Sequence, residues 1–418
     1  MTAFDRIERR MPEVFDDLAA ARVPDYFDDM LRQTARTRQR PAWSTLERWL
    51  PMGVIARPVP LRPIPWRAIV VAAVVISLVV IAALAYVGSR QRRVPPPFGP
   101  AANGALVIAT ADGDIVTVDP ATGKTTPLIG GPTIDGGPYF SNDGLRLVFD
   151  RGATDTTKAL WIANADGTDA REITREPYIF GFEWLPDGNR AAIVATVAGK
   201  GELSTLDLTN GTRTQLPLDL DVRSASWRPN HEQFIVTAAG TDTPVTHVTF
   251  WVVDSDGSGT PRKIDAAPNA INDPTISSDG RLLAYSTWDP ARIHVVDIDA
   301  GDDHPITTGN DEGSVWQSPH FSPDGAHIVV NRFLVGGDPI IARLNIIPTD
   351  GREAPIMVGP ASENPQPDVL FSPDGTSLLA TYSNPKINKT YLFDTATGSG
   401  HEVPFLAING SSWQRTAP

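Results

Sequence analysis

Cysteine occurs nowhere in the 418 residues. That excludes disulfides, thiolate metal sites and cysteine nucleophiles, and leaves open whether the chain works in cytoplasm or in an oxidising compartment. Positive charge is also scarce over most of the length: residues 94–418 hold 21 basic and 40 acidic side chains. A surface of that sign lacks the field that a phosphate backbone requires, so no nucleic-acid partner is expected. Catalytic signatures are few. The chain has no Gly-x-Ser-x-Gly elbow and no His-Glu-x-x-His, and its seven histidines (His231, His247, His294, His304, His320, His327 and His401) lack the spacing of a metal site. Neither a cofactor nor a metal is expected, and Asp and Glu are too abundant everywhere for a glycosidase pair to be picked out.

What is present is a folding composition, 41% hydrophobic and 20% charged, with charge unevenly divided. Residues 1–93 carry 15 basic and 9 acidic side chains, a balance of +6 against −19 for the remainder. The two parts are expected to face different surroundings. Between them lies "AIVVAAVVISLVVIAALAYV", Ala68 to Val87, twenty residues without a charge. As a helix it would span roughly 30 Å, the hydrocarbon thickness of a bilayer. Trp66 and Arg67 stand at one end and Tyr86, Arg90, Arg92 and Arg93 at the other, residues that suit an interface. A single membrane span is expected over 68–87, ahead of a buried core helix or a cleaved signal peptide ending near Ala83-Leu84-Ala85. The 12 arginines before the span favour a cytoplasmic N-terminus and an extracytoplasmic remainder in the cell membrane.

Residues 1–50 show apolar spacings of short amphipathic helices: Phe4, Ile7, Met11, Val14, Phe15 and Leu18, then Tyr26, Phe27, Met30 and Leu31 behind Pro24. A stretch this short cannot bury a core alone, so its apolar faces need the membrane surface, a second copy or a cytosolic regulator. Prolines 51, 58, 60, 63 and 65 make residues 51–67 a stiff juxtamembrane linker, and "RVPPPFGPAANG" makes residues 88–103 a proline-rich stalk.

From residue 104 to 418 the chain repeats itself. "YFSNDGLRLVF" at Tyr139, "EWLPDGNRAAIV" at Glu183, "SWRPNHEQFIV" at Ser226, "TISSDGRLLAY" at Thr275, "PHFSPDGAHIVV" at Pro319 and "LFSPDGTSLLA" at Leu370 each end one strand, turn and begin another. The turn chemistry is that of a hairpin, with Asp143 and Gly144, Asp187 and Gly188, Asp279 and Gly280, Asp324 and Gly325, and Asp374 and Gly375 as structural turn residues. A second phrase runs in step, with glycines at 123, 167, 211, 257, 301, 351 and 398, so the period is 44 to 50 residues. Its members "NADGTD" and "DSDGSG" read as turns rather than calcium loops. The second phrase occurs once more often than the first, and the missing copy is "GSSWQR" near the C-terminus. An all-β, seven-bladed propeller follows, closed by the terminal strand with Trp413 completing the blade begun near Asn103.

Phe321-Ser322-Pro323-Asp324-Gly325 and Phe371-Ser372-Pro373-Asp374-Gly375 resemble the repeats of TolB-type, WD-repeat-like bacterial β-propellers, and are similar to the propeller parts of prolyl oligopeptidase relatives. The resemblance implies the fold over residues 103–418. It does not carry over TolB's partners, because TolB has a separate N-terminal domain and six blades. The N-terminal part is similar in layout to membrane-bound anti-sigma factors, without the zinc motif of many of them.

In a four-stranded antiparallel blade, the first and third loops share one face, and the second loop and the connector share the other. Variation concentrates in the second loops and connectors, so Tyr178, Trp288, Trp316, Phe333 and Tyr382 are the candidates to line a binding face. The expected function is that of a noncatalytic, membrane-anchored binding or sensory protein. Its propeller takes a protein or small ligand while its tail takes a cytosolic regulator. A hydrolase or lyase using the propeller mouth, or an envelope scaffold, are the alternatives.

Overall fold

The computed structural model describes residues 70–79 and 94–417, except 153–156, 178, 241–246, 272–273, 308–312, 335–339, 364–366, 384–387 and 408–409. The chain divides into two units, residues 1–91 and 92–418. In the first, the described part is a helix over residues 70–79. At about 1.5 Å per residue it covers half of a bilayer's hydrocarbon core. No described helix is long and apolar enough to cross a membrane. The rest of 68–87, and the helices expected within 1–50, lie outside the described residues.

The second unit consists of seven four-stranded antiparallel sheets. Six follow chain order. Blade 2 comprises Asp135–Phe140, Arg146–Arg151, Thr157–Asn164 and Arg171–Pro177, and blade 3 Ile179–Trp184, Arg190–Val197, Lys200–Asp207 and Arg213–Gln215. Blade 4 holds Val222–Arg228, Gln233–Ala239, Val248–Asp254 and Arg262–Lys263, and blade 5 Thr275–Ile276, Leu282–Ser286, Ile293–Asp297 and Asp303–Pro305. Blade 6 runs through Ser314–Phe321, His327–Leu334, Ile341–Pro348 and Ile356–Glu363, and blade 7 through Asp368–Phe371, Ser377–Ser383, Asn388–Asp394 and Gly400–Val403. Blade 1 takes its innermost strand, Ser411–Thr416, from the chain end and its other three, Ala102–Ala109, Ile115–Val118 and Thr125–Ile129, from the beginning of the unit.

Strand burial explains the sequence pattern. Gln233–Ala239 is buried along its whole middle, while the outer Arg262–Lys263 is exposed. A middle strand sandwiched between neighbouring blades needs apolar residues on both faces, so it reads as a continuous run rather than an alternation. Its two faces serve different cores: Phe234 and Val236 join the cluster shared with blade 3, and Ile235 joins the cluster shared with blade 5. Seven such clusters occur, one between each consecutive pair of blades, including one between blades 7 and 1. The cores therefore form a closed ring.

The terminal strand makes that closure. Leu106 pairs with Trp413, and the Trp413 indole N–H donates to the Gly104 carbonyl at 3.2 Å. The ring of Trp413 packs in the same core as Leu106, Ile108 and Leu379. Beyond it, the Ser412 hydroxyl accepts the Phe140 N–H from blade 2 at 3.0 Å. The strand thus ties blades 7, 1 and 2 together, as expected from "GSSWQR".

Candidate functional site

The two faces of the ring are built differently. On the first, the Asp-Gly turns repeat one hydrogen-bonded device. The hydroxyls of Ser141, Ser277, Ser322 and Ser372 donate to Asp143, Asp279, Asp324 and Asp374 at 2.5 to 2.6 Å. Each hydroxyl also accepts the backbone N–H that opens the next strand, as Ser322 does from His327 at 3.0 Å. The same Asp oxygen accepts a second N–H two residues on. Burial raises the carboxyl pKa of Asp279, Asp324 and Asp374, but these serine and backbone donors outweigh it and hold all three below the usual value. Gly144, with φ of +69°, shows why glycine closes the turn: a Cβ there would lie 2.0 Å from the Arg415 carbonyl oxygen. In blade 4 the serine is replaced by Arg228, whose buried guanidinium binds Asp299 at 2.5 Å and the Gly280 carbonyl, stapling blade 4 to blade 5. The ten turn residues expected from sequence all lie in these hairpin turns.

Inside this face lies the axial mouth, a cavity of about 430 Å³. Its wall comes from one register position, the residue four places before the turn Asp or its counterpart: Tyr139, Glu183, Ser226, Thr275, His320 and Leu370. Arg415 of the terminal strand completes it. Burial pushes the Glu183 carboxyl up to about 7, against a smaller lowering by the N–H of Trp227. The nearby Glu183 charge and burial raise the Tyr139 phenol, and burial lowers the Arg415 guanidinium. Tyr139 is 39% exposed and lines this mouth. Sequence reasoning missed these groups, although their common offset from the turn was there to be read.

The second face carries the second loops and the connectors. Of the five residues expected to line it, Trp288 does so and is 57% exposed. Its backbone is fixed: the Trp288 N–H donates to the Asn269 carbonyl at 3.0 Å, and the Asn269 amide donates to the carbonyls of Trp288 and Asp289. Phe333 is half-buried at the end of its strand. Trp316 and Tyr382 are corrected, being 5% and 2% exposed in the cores between blades 5 and 6 and between blades 6 and 7. Arg332 lies 5.1 Å over the Trp316 ring, and the Tyr382 hydroxyl has no hydrogen-bond partner among the described residues. Both sit within strands at positions that point between blades, where an aromatic fills volume and cannot reach solvent. Tyr178 lies outside the described residues. Ile134, Val197 and Ile340, which sequence reasoning did not single out, are exposed at loops of this same face in other blades.

No family model matches the chain, and no curated protein matches it. Solved structures do. Oligogalacturonate lyase from Vibrio parahaemolyticus is similar with a TM-score of 0.52 and 15% identity over 73% of this chain and 86% of that one. A prolyl endopeptidase structure is similar with a TM-score of 0.52 and 12% identity, covering 74% of this chain and about half, 51%, of the other. TolB from Acinetobacter baumannii is similar with a TM-score of 0.44 and 20% identity over 65% of this chain and 67% of that one. Identities this low speak to fold alone. With the seven closed sheets, the fold is a seven-bladed β-propeller, as the Ser-Pro-Asp-Gly repeats led one to expect.

Proposed function

We propose that this chain is a noncatalytic, membrane-anchored binding or sensory protein whose propeller recognises a protein or small ligand through its second-loop face. The observation that carries the reading is the exposure of Trp288, Ile134, Val197 and Ile340 on that one face, with Trp288 held out by a hydrogen-bonded loop. Exposed aromatic and aliphatic side chains on a rigid frame are what an interface buries at its centre, and tryptophan is enriched among residues that dominate binding energy. Anchoring rests on Ala68 to Val87, and orientation rests on the arginine-rich 1–67 segment, whose amphipathic patterns suit a cytosolic regulator. Two measurements test it. Protease added to intact spheroplasts should remove the propeller and spare residues 1–67, and digestion of the tail instead would overturn the orientation. In affinity capture, Trp288→Ala should release the partner that the parent propeller retains, with a loss of tenfold or more, and equal retention would overturn the assignment of the face.

A second reading, an enzyme of hydrolase or lyase type, draws on the axial mouth, where Glu183 titrates near neutrality beside Tyr139. Turnover that survives Trp288→Ala but is lost in Glu183→Gln would favour it.

A further inference from the structure

Residues 94–100 run across the axial mouth. Ala101 is fixed to blade 7, its N–H donating to the Pro373 carbonyl at 2.9 Å. Next to it, Asn103 and Asp374 exchange hydrogen bonds at 2.9 and 3.1 Å. N-terminal to Ala101 the chain leaves the turn of blade 7 and enters the centre of the ring. Pro97, Phe98 and Gly99 line the mouth together with residues from every blade. The Phe98 ring packs against the core that contains Trp227 and Leu185, which belongs to blades 3 and 4. Pro95 is buried beside Gly144, Gln414 and Arg415, and the Arg415 guanidinium donates to the Pro96 carbonyl at 2.8 Å. One short segment therefore touches blades 7, 1, 3 and 4, spanning the ring like a spoke.

The way the segment is held differs from every neighbouring strand. Pro95, Pro96 and Pro97 have no N–H and cannot join a sheet ladder. Phe98 is half-buried rather than sealed, and Pro96, whose carbonyl anchors the guanidinium, is exposed. Local opening is cheapest where backbone hydrogen bonds are sparse and buried apolar contacts few. Three prolines also keep the segment extended whether docked or free, so release regains little backbone entropy and docking loses little. Beneath it lie Tyr139, Glu183 and His320, polar groups gathered from blades 2, 3 and 6.

We propose that Pro95–Phe98 is a latch, which closes the axial mouth while Phe98 is seated and exposes the mouth's polar wall when the segment swings out about Gly99 and Pro100. This goes beyond the function proposed above and is independent of it, since it concerns the opposite face of the ring. A ligand entering from this face, or a pull on the chain N-terminal to Val94, would meet the latch first.

The absence of cysteine gives a clean test. In the full chain in detergent, Ser226→Cys places a thiol in the wall of the mouth and Ala121→Cys places one on an exposed turn. With N-ethylmaleimide the Ser226→Cys thiol is expected to react at least tenfold more slowly than the Ala121→Cys control. Adding Phe98→Ala should bring its rate to within about threefold of the control, and Phe98→Leu should give an intermediate rate in a side chain that still fills the seat. Parent labelling as fast as the control would show that the segment does not cover the mouth. Slow labelling unchanged by either Phe98 variant, in protein whose thermal midpoint matches the parent's, would show that Phe98 is not the closure. Either result overturns the latch.

Discussion

The two faces of the ring share seven blades and one backbone plan, yet they divide the work of the molecule. On the Asp-Gly face the loops are short and nearly identical, and Ser, Asp and Gly satisfy one another's hydrogen bonds. Across the ring, the second loops and connectors differ in length and chemistry and leave Trp288, Ile134, Val197 and Ile340 in water. A repeating fold needs its turns to be alike because each must place the next blade at the same angle. The loops on the other side do not set that angle, so they are free to vary in length and chemistry. Stability should therefore be sensitive on one face and indifferent on the other.

Breaking the frame where it closes should cost most. Deleting Gly410–Pro418 removes the innermost strand of blade 1, the Trp413 side chain and contacts to both neighbouring blades. Trp413→Ala alone removes about 3 to 5 kcal/mol of buried aromatic packing, a fall in thermal midpoint of roughly 5 to 10 °C, and the deletion should exceed that. Truncation of nine residues at an ordinary frayed end would cost almost nothing, so equal midpoints would break the ring-closure account.

A smaller effect is expected at Gly144, where alanine must adopt φ near +69° with its Cβ against the Arg415 carbonyl. Gly144→Ala should lower stability by about 2 to 3 kcal/mol, read as a shifted denaturant midpoint. Gly199, on the other face, has φ of +84° with open space around it. Gly199→Ala therefore pays the backbone strain without the collision and should cost less than half as much.

A pH dependence is expected at Glu183. Its native carboxyl holds a proton up to about 7, whereas the unfolded group releases it near 4.5. Between those values the native state binds more protons than the unfolded one, so this group makes stability fall as pH rises from about 4.5 to about 7. Glu183→Gln should melt with the parent at pH 4 and above it at pH 8. A variant that is less stable at pH 8 would show that the carboxylate is paired and stabilising rather than desolvated.

The frame was legible in the sequence because its signals are local and repeated. Ser322-Pro323-Asp324-Gly325 specifies its turn within four residues, and the 44- to 50-residue period counts the blades. The chain end read as "GSSWQR" closes the ring for the same reason: a missing copy in an otherwise regular series has one place to go. The site was less legible. Trp316 and Tyr382 look like Trp288 in composition, and only the blade geometry turns two of them inward and one outward. Tyr139 and Glu183 share an offset from the turn, but only the closed ring brings them to the axis with Arg415 of the terminal strand. Their unusual titration arises from burial among neighbours distant in sequence, which no local window contains.

The division of labour between faces is tested most directly by one pair of thermal melts on the full chain. Ser322→Ala with Ser372→Ala removes hydroxyls that each hold a carboxylate and a backbone N–H, and should cost about 1 kcal/mol or more apiece, lowering the midpoint by several degrees. Ile134→Ser with Trp288→Ala changes exposed side chains and should leave the midpoint within about a degree of the parent's. Equal losses in the two double variants, or a larger loss in the second, would contradict the claim that one face builds the ring and the other is free to bind.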